Sequence, residues 1–334
     1  MKFRIKFMKT GSMKFIGHLD VMRYFQKVFR RAGIIVKLTE GFSPHPIMSF
    51  ASPLGIGLTT EGDYLDVTLT DEIFEEDSTG IAEGGSDTFI SATKEGGSVE
   101  TASASEEDVV GEESVSEEGG SIFLSPEEEK ALTDKIRERM NQVSHDEIRV
   151  LEVVRLPETA KNSMSILASC DYMVFFKEDK LNENCGFDFK SDSFVSDLEV
   201  KIKEYLEQPC INVTKKTKKS EKVIDIKDNI YIMTASKEKF IEETGANYGF
   251  LEEKETPDLP LFFVRLTAGS VLNIKPEIVI ESFLKFMGLE YEEFDYHIHR
   301  LDMLRDLNFV KGEVHTLNTE IKCDLVSLGE PEKG

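Results

Sequence analysis

Eight residues near the start of the chain, Lys2–Lys9 (KFRIKFMK), alternate charged and apolar side chains. In an extended segment Phe3, Ile5 and Phe7 point one way, and Lys2, Arg4 and Lys6 point the other. One face must pack a core. The opposite face is expected to be basic and wet.

The elements that follow fit around such a strand. The spacing predicts a helix from His18 to Ala32, stopped by Gly33, with Leu19, Met22, Phe25, Phe29 and Ala32 as its buried stripe. Arg23, Lys27, Arg30 and Arg31 fall off that stripe and are read as solvated. Ile34–Thr39 and Tyr64–Thr70 read as strands. Ser125-Pro126-Glu127-Glu128 is a capping box with proline in the first helical turn, and Leu132, Ile136, Met140 and Val143 make the stripe of the helix it starts. Ile148–Arg155 is a strand. The order strand, helix, strand, strand, helix, strand is the ferredoxin-like βαββαβ pattern.

The second half repeats the pattern by type. Strands are expected at Leu167–Phe176, Ile211–Lys215, Val223–Lys227, Leu261–Thr267 and Tyr296–Leu301, with helices at Phe194–Leu206 and Pro276–Met287. Residues 234–260 are read as an elaborated loop. The expected fold class is α+β, two tandem ferredoxin-like domains. The first takes residues 1–74 with 121–157, the second 163–305, and 306–334 is a tail.

Between the first domain's two pieces lies an acidic run. Residues 75–120 hold 14 acidic residues against one basic residue, Lys94, so this run carries −13 of the chain's net −23. Its Gly, Ser, Thr and Glu cannot bury enough apolar area to offset chain entropy, and it is read as a disordered insert. Residues 1–70 carry +5. The overall charge therefore misrepresents the N-terminal unit, which is basic.

Several classes of chemistry find no motif. Cys170, Cys185, Cys210 and Cys323 form no CxxC pair, so they read as structural or surface thiols, and no cofactor is expected. No run of 18 apolar residues and no signal-peptide core appear, which places the expected protein in the cytoplasm, away from membranes. Gly55-Ile56-Gly57 lacks the third glycine and the following helix of a dinucleotide site.

The candidate site residues fall in four groups. His297-x-His299 puts two rings on one strand face, but no third metal ligand is evident, so the pair reads as two exposed histidines and no metal is expected. His18, a candidate general acid or base, opens the first helix beside Asp20. Lys215, Lys216, Lys218 and Lys219 crowd a hairpin tip, and Arg265 and Lys275 could extend them into a phosphate-binding patch together with Arg4 and Lys6. The last group is EGFSPHPIMSFASPLGIG, Glu40–Gly57. Pro44 and Pro46 hold Ser43 and His45 extended, so a stiff edge presents Phe42, His45 and Ser49. His45 is a second candidate for acid–base work.

The stretch from Phe3 to Gly57, with TKKTKKSEKVIDIKD, VRLTAGSVLNIKPEIVIESFL and YHIHRLDML, resembles the bacterial radical SAM-linked protein family, a domain family of unknown function. The family's blocks fall here on His18, Leu19, Asp20, Gly41, Phe42, Pro44, His45, Pro46, Arg265, Gly269, Lys275 and Pro276. The resemblance implies a radical SAM protein as partner. This chain has no CxxxCxxC motif, so the cluster chemistry would belong to that partner. The expected function is a non-catalytic accessory module that binds tRNA or rRNA and presents it for modification. Two alternatives stand beside it. One is a metal-independent RNA endonuclease using His18 or His45; the other is an adaptor that binds the partner protein.

Overall fold

The computed structural model describes residues 1–75, 124–176, 193–216, 221–245, 261–289, 295–308, 313, 315 and 324–330. In chain order the elements are β1 Lys2–Lys9, α1 His18–Arg31, β2 Ile34–Val36, β3 Met48–Phe50, β4 Thr59–Phe74, α2 Pro126–Val143, β5 Ile148–Leu156, α3 Ser163–Ile166 and β6 Leu167–Phe176. There follow α4 Phe194–Glu207, β7 Asn212–Lys216, β8 Glu221–Asp225, β9 Ile230–Thr234, α5 Lys237–Thr244, β10 Leu261–Thr267, α6 Pro276–Phe286, β11 Tyr296–Asp306 and β12 Leu325–Ser327.

Ten of these strands form one sheet. Its main path runs β5-β1-β4-β11-β6-β10-β9, with β2 and β3 also paired to β4 and β12 to β11. Every pairing is antiparallel except β4 with β11, where His299 faces Thr59 and Arg300 faces Thr60. The expected class, α+β on a mostly antiparallel sheet, holds. Strands of both halves share that sheet.

The alternation of β1 works as expected on one side. Phe3, Ile5 and Phe7 are at most 1% exposed and pack with Phe25, Val28 and Phe29 of α1 and Ile136 and Met140 of α2. Each such side chain contributes about 1.5–3 kcal/mol by leaving water. The capping box at Ser125 forms as read, with the Glu128 amide donating to Ser125 Oγ and the Glu128 carboxylate accepting from the Ser125 amide. In the second half, α4 and α6 bury Leu198, Ile202, Val279, Ile280 and Phe283 against β6 and β10. A smaller cluster stacks Phe240 of α5 on Phe263, with ring centroids 5.3 Å apart.

Four expectations need correction. The buried row of α1 is Val21, Phe25, Val28 and Phe29, whereas Leu19 is 61% exposed. With 3.6 residues per turn, Leu19 falls on the far side of that row. The β7–β8 hairpin stands apart from the main sheet, and Ile230–Thr234, with Ile230, Ile232 and Met233 buried, takes the expected ladder position. The segment read as a loop contains α5, while 246–260 lie outside the described residues. The wet basic face of β1 is covered at its centre: Arg4 is 1% exposed, because residues 161–163 and the chain around Leu328 close over it, while Lys2 and Lys6 stay partly exposed.

The acidic run lies outside the described residues from 76 onward. From the expected tail, Leu325–Ser327 adds a strand to β11, and Leu328 is buried. Among the described residues no helix is long and apolar enough to cross a membrane.

β4 runs for 16 residues, well beyond the expected Tyr64–Thr70. Gly62 makes this possible. A Cβ there would lie 2.3 Å from the Leu301 carbonyl oxygen and 2.4 Å from the Asp302 Cα, both backbone atoms of β11. Gly62→Ala is expected to cost about 2–3 kcal/mol through overpacking. Gly55→Ala, whose Cβ would make ordinary contact with a side chain at 3.4 Å, should stay within about 0.5 kcal/mol of wild type. Urea denaturation of both variants checks this, and equal stabilities would contradict it.

Candidate functional site

The β4–β11 pairing brings charged side chains indoors. Arg300 Nη1 donates to Asp63 Oδ1 at 2.7 Å, and both side chains are 5% exposed. The carboxylate of Asp63 holds the guanidinium charged against the opposing effect of burial. One residue pair further along, Tyr64 donates to Asp302 Oδ1 at 2.5 Å, Ser327 Oγ donates to Asp302 Oδ2 at 2.8 Å, and Lys6 pairs with the same carboxylate at 3.3 Å. Burial, and then the Asp302 charge, push the Tyr64 hydroxyl far above its ordinary range. Asp302 thus ties β1, β4 and β12 to β11.

Next to this seam lies a small chamber lined by Lys9, His18, Ser52, Asp63 and the apolar Phe7, Val21, Phe50 and Leu54. Its volume of about 10 Å³ is the size of a single water. Lys9 is 1% exposed, and its Nζ donates to the Ile16 carbonyl at 3.5 Å, a long hydrogen bond. Burial lowers the Lys9 ammonium; Asp63 opposes this and Arg300 adds to it. The His18 ring meets Phe50 edge-on at 5.0 Å. A space of that size is too small for any substrate larger than a water.

A larger cleft opens beneath the proline loop, with a volume of about 310 Å³. The loop is fixed at its base by backbone bonds from Thr39 N to His45 O at 2.9 Å and from Ile47 N to Lys37 O at 2.8 Å. His45 Nδ1 lies 3.0 Å from Thr39 Oγ1 and 3.3 Å from the Ser43 carbonyl. Across the cleft, Asn162 donates to Ser49 Oγ at 2.6 Å. Asp66 lies in the floor, where it accepts from Arg4 Nε at 2.8 Å, Arg4 Nη2 at 3.2 Å and the Ser163 amide at 2.7 Å. Phe42 at the loop's tip is fully exposed.

The remaining candidates land as follows. His45 and Ser49 share the cleft, whereas His18 belongs to the inner chamber. Asp20 is exposed and pairs with Arg23 at 3.3 Å. Arg265 is 7% exposed and spends its guanidinium on Asp171, with Nε 2.6 Å and Nη2 2.8 Å from the two carboxylate oxygens; it does not extend a surface patch. Lys215 donates to the Asn273 carbonyl at 3.3 Å, which sets the β7–β8 hairpin beside exposed Lys275. Lys216 ends β7, and Lys218 and Lys219 lie outside the described residues.

His297 and His299 are not two exposed histidines. His299 is 8% exposed, and Thr59 Oγ1 stands 2.9 Å from His297 Nε2 and 2.8 Å from His299 Nδ1. The parallel pairing sets Thr59 opposite His299. Among the described residues no group of three or more His, Cys, Asp or Glu could hold a metal ion. Sequence reasoning missed Lys9, Asp63, Arg300 and Asp302. The available signal was charge inside otherwise apolar strands, in TTEGDYLDV and HIHRLDML.

A family model described as an uncharacterized protein conserved in bacteria (DUF2344) matches residues 2–81 and 110–257, well over half of the chain. The chain belongs to that family. The break between the matched segments falls within the acidic run. The family's description names neither an activity nor a partner. Among curated proteins none matches the chain.

The lowered Lys9 amine gives a pH test. The folded chain binds that proton less tightly than the unfolded chain, so this group adds stability as pH rises from its folded value to its ordinary 10.5. Lys9→Met removes the cost of holding the ammonium indoors. Its stability relative to wild type should be highest near neutrality and decline toward pH 10.5. Chemical denaturation at stepped pH reads the difference, and a pH-independent offset would contradict it.

Proposed function

We propose that this member of the DUF2344 family is a non-catalytic docking module, and that the tip of its proline loop binds a partner protein. The observation that carries this reading is Phe42. It is fully exposed on a loop whose base is pinned by backbone bonds, with Pro44 and Pro46 stiffening the chain that leaves the tip. A large apolar ring exposed to water gains by leaving it, and aromatic side chains are enriched in the buried cores of protein interfaces. Leu38, paired to Pro46 across the loop's base, adds a half-exposed apolar side chain. The partner expected from the resemblance is a radical SAM protein.

The strand orders support a tandem ferredoxin-like reading of the architecture. The first half runs β5-β1-β4 with β2 and β3 on the far edge of β4, and the second runs β11-β6-β10-β9. Each is the order expected when two helices pack on a βαββαβ sheet.

RNA binding is the second reading, and it now rests on the β7–β8 hairpin with Lys215 and Lys275, since Arg4 and Arg265 are committed to buried carboxylates. RNA cleavage by His18 or His45 has less support, because one lines a water-sized chamber and the other an outer cleft.

Co-purification with the co-expressed radical SAM protein tests the docking reading. Phe42→Ala is expected to weaken that complex tenfold or more, about 1.4 kcal/mol, and to leave RNA affinity unchanged. A complex that survives Phe42→Ala at full affinity would overturn it. Charge reversal at Lys215, Lys216, Lys218 and Lys219 tests the second reading: RNA affinity and its salt dependence should both fall if the hairpin binds phosphates.

A further inference from the structure

We propose that the cleft beneath the proline loop is a binding site for a small organic anion, a carboxylate or phosphate carried on an apolar body. This inference does not rest on the docking reading, because the cleft lies inside the loop's base and the Phe42 tip is not among its lining residues.

The volume of about 310 Å³ is at the lower end of the range of small-molecule sites, so the occupant is a small one. The walls are preformed. One is the loop, stiffened as described, and the other is the Pro157–Ser163 segment, held by the bond from Ala160 N to Pro157 O and by Asn162, which also bonds Ser49 across the gap. An occupant would therefore not have to order the loop first.

The charges set the ligand's sign. Among the described residues, the cationic side chains of the lining are Lys2 and Lys161, and its carboxylate is Asp66. Both oxygens of Asp66 are already taken by Arg4 and the Ser163 amide, so a ligand meets no bare acid. Lys2 gives one N–H to the Glu158 carbonyl at 2.6 Å, and an ammonium has three to give. This cationic setting stands out in a chain of net charge −23. The ligand's body follows from Ile47, Met48 and Leu156, which supply apolar wall. Ser49 and His45 add groups that can orient a polar head.

The test uses the full chain at low ionic strength with four probes: inorganic phosphate, hexanoate, hexyl phosphate and neutral hexanol. Hexanoate or hexyl phosphate should raise Tm in a saturable way, and the better of the two tells whether a carboxylate or a phosphate is preferred. Lys161→Gln, an exposed site, should weaken that binding at least about threefold, and Lys2→Gln with Lys161→Gln about tenfold. Ser49→Trp, which fills the cleft, should abolish it; should that variant not fold, the lysine pair decides alone. No response to either organic anion overturns the proposal. So does hexanol binding as well as hexanoate, or binding that is unchanged in the lysine variants.

Discussion

The Asp63–Arg300 pair is the contact on which the rest of the molecule depends. β4 and β11 meet through only two facing residue pairs, and their backbones approach closely because residue 62 has no side chain. That approach buries a carboxylate and a guanidinium at 2.7 Å. Removing either partner while the strands stay packed would leave the other charge uncompensated indoors, a cost of about 3–5 kcal/mol. Asp302, bonded to Tyr64 and Ser327 and paired with Lys6, repeats the arrangement one step along. The seam has a short backbone ladder and is rich in charged and polar side-chain bonds, and it joins the two halves in one sheet.

The proline-rich block is shaped by the same junction. Phe50 packs into the first half's core, while Ala51, Leu54 and Leu58, a few residues later, belong to the second half's core. A segment anchored on both sides of the seam cannot swing freely. Its anchored end closes the chamber around Lys9 and His18, and its outer end forms the cleft and lifts Phe42 into solvent. Stiffness in this block, first visible as Pro44 and Pro46, thus connects core packing to the surface available for binding.

The local elements were legible from periodicity and capping. The β1 alternation, the Ser125 capping box and the helix that starts at Pro276 depend on near neighbours, and the chain's own spacing encodes them. What periodicity could not carry is the identity of the partner across space. Arg4 and Arg265 look like free cations in sequence, because Asp66 and Asp171 lie 62 and 94 residues away. His297 and His299 look exposed because Thr59 is more than 230 residues distant. The start of β4 was hidden for a different reason: TTEGD is polar and contains glycine, which disfavours a strand reading, and only the approach of β11 explains both features. In the candidate site, His45, Ser49 and Phe42 could be read from the proline spacing, whereas Lys2, Lys161 and Asn162 enter the cleft only through tertiary folding.

The most direct measurement of the seam's role is native-state hydrogen exchange of the wild-type chain, following the slowest amides of β1 in the first half and β6 in the second. If the buried charges hold the halves in one cooperative unit, both sets exchange through the same global opening, with opening free energies that agree within about 1 kcal/mol. Opening free energies several kcal/mol apart, with one half exchanging while the other stays protected, would contradict the account.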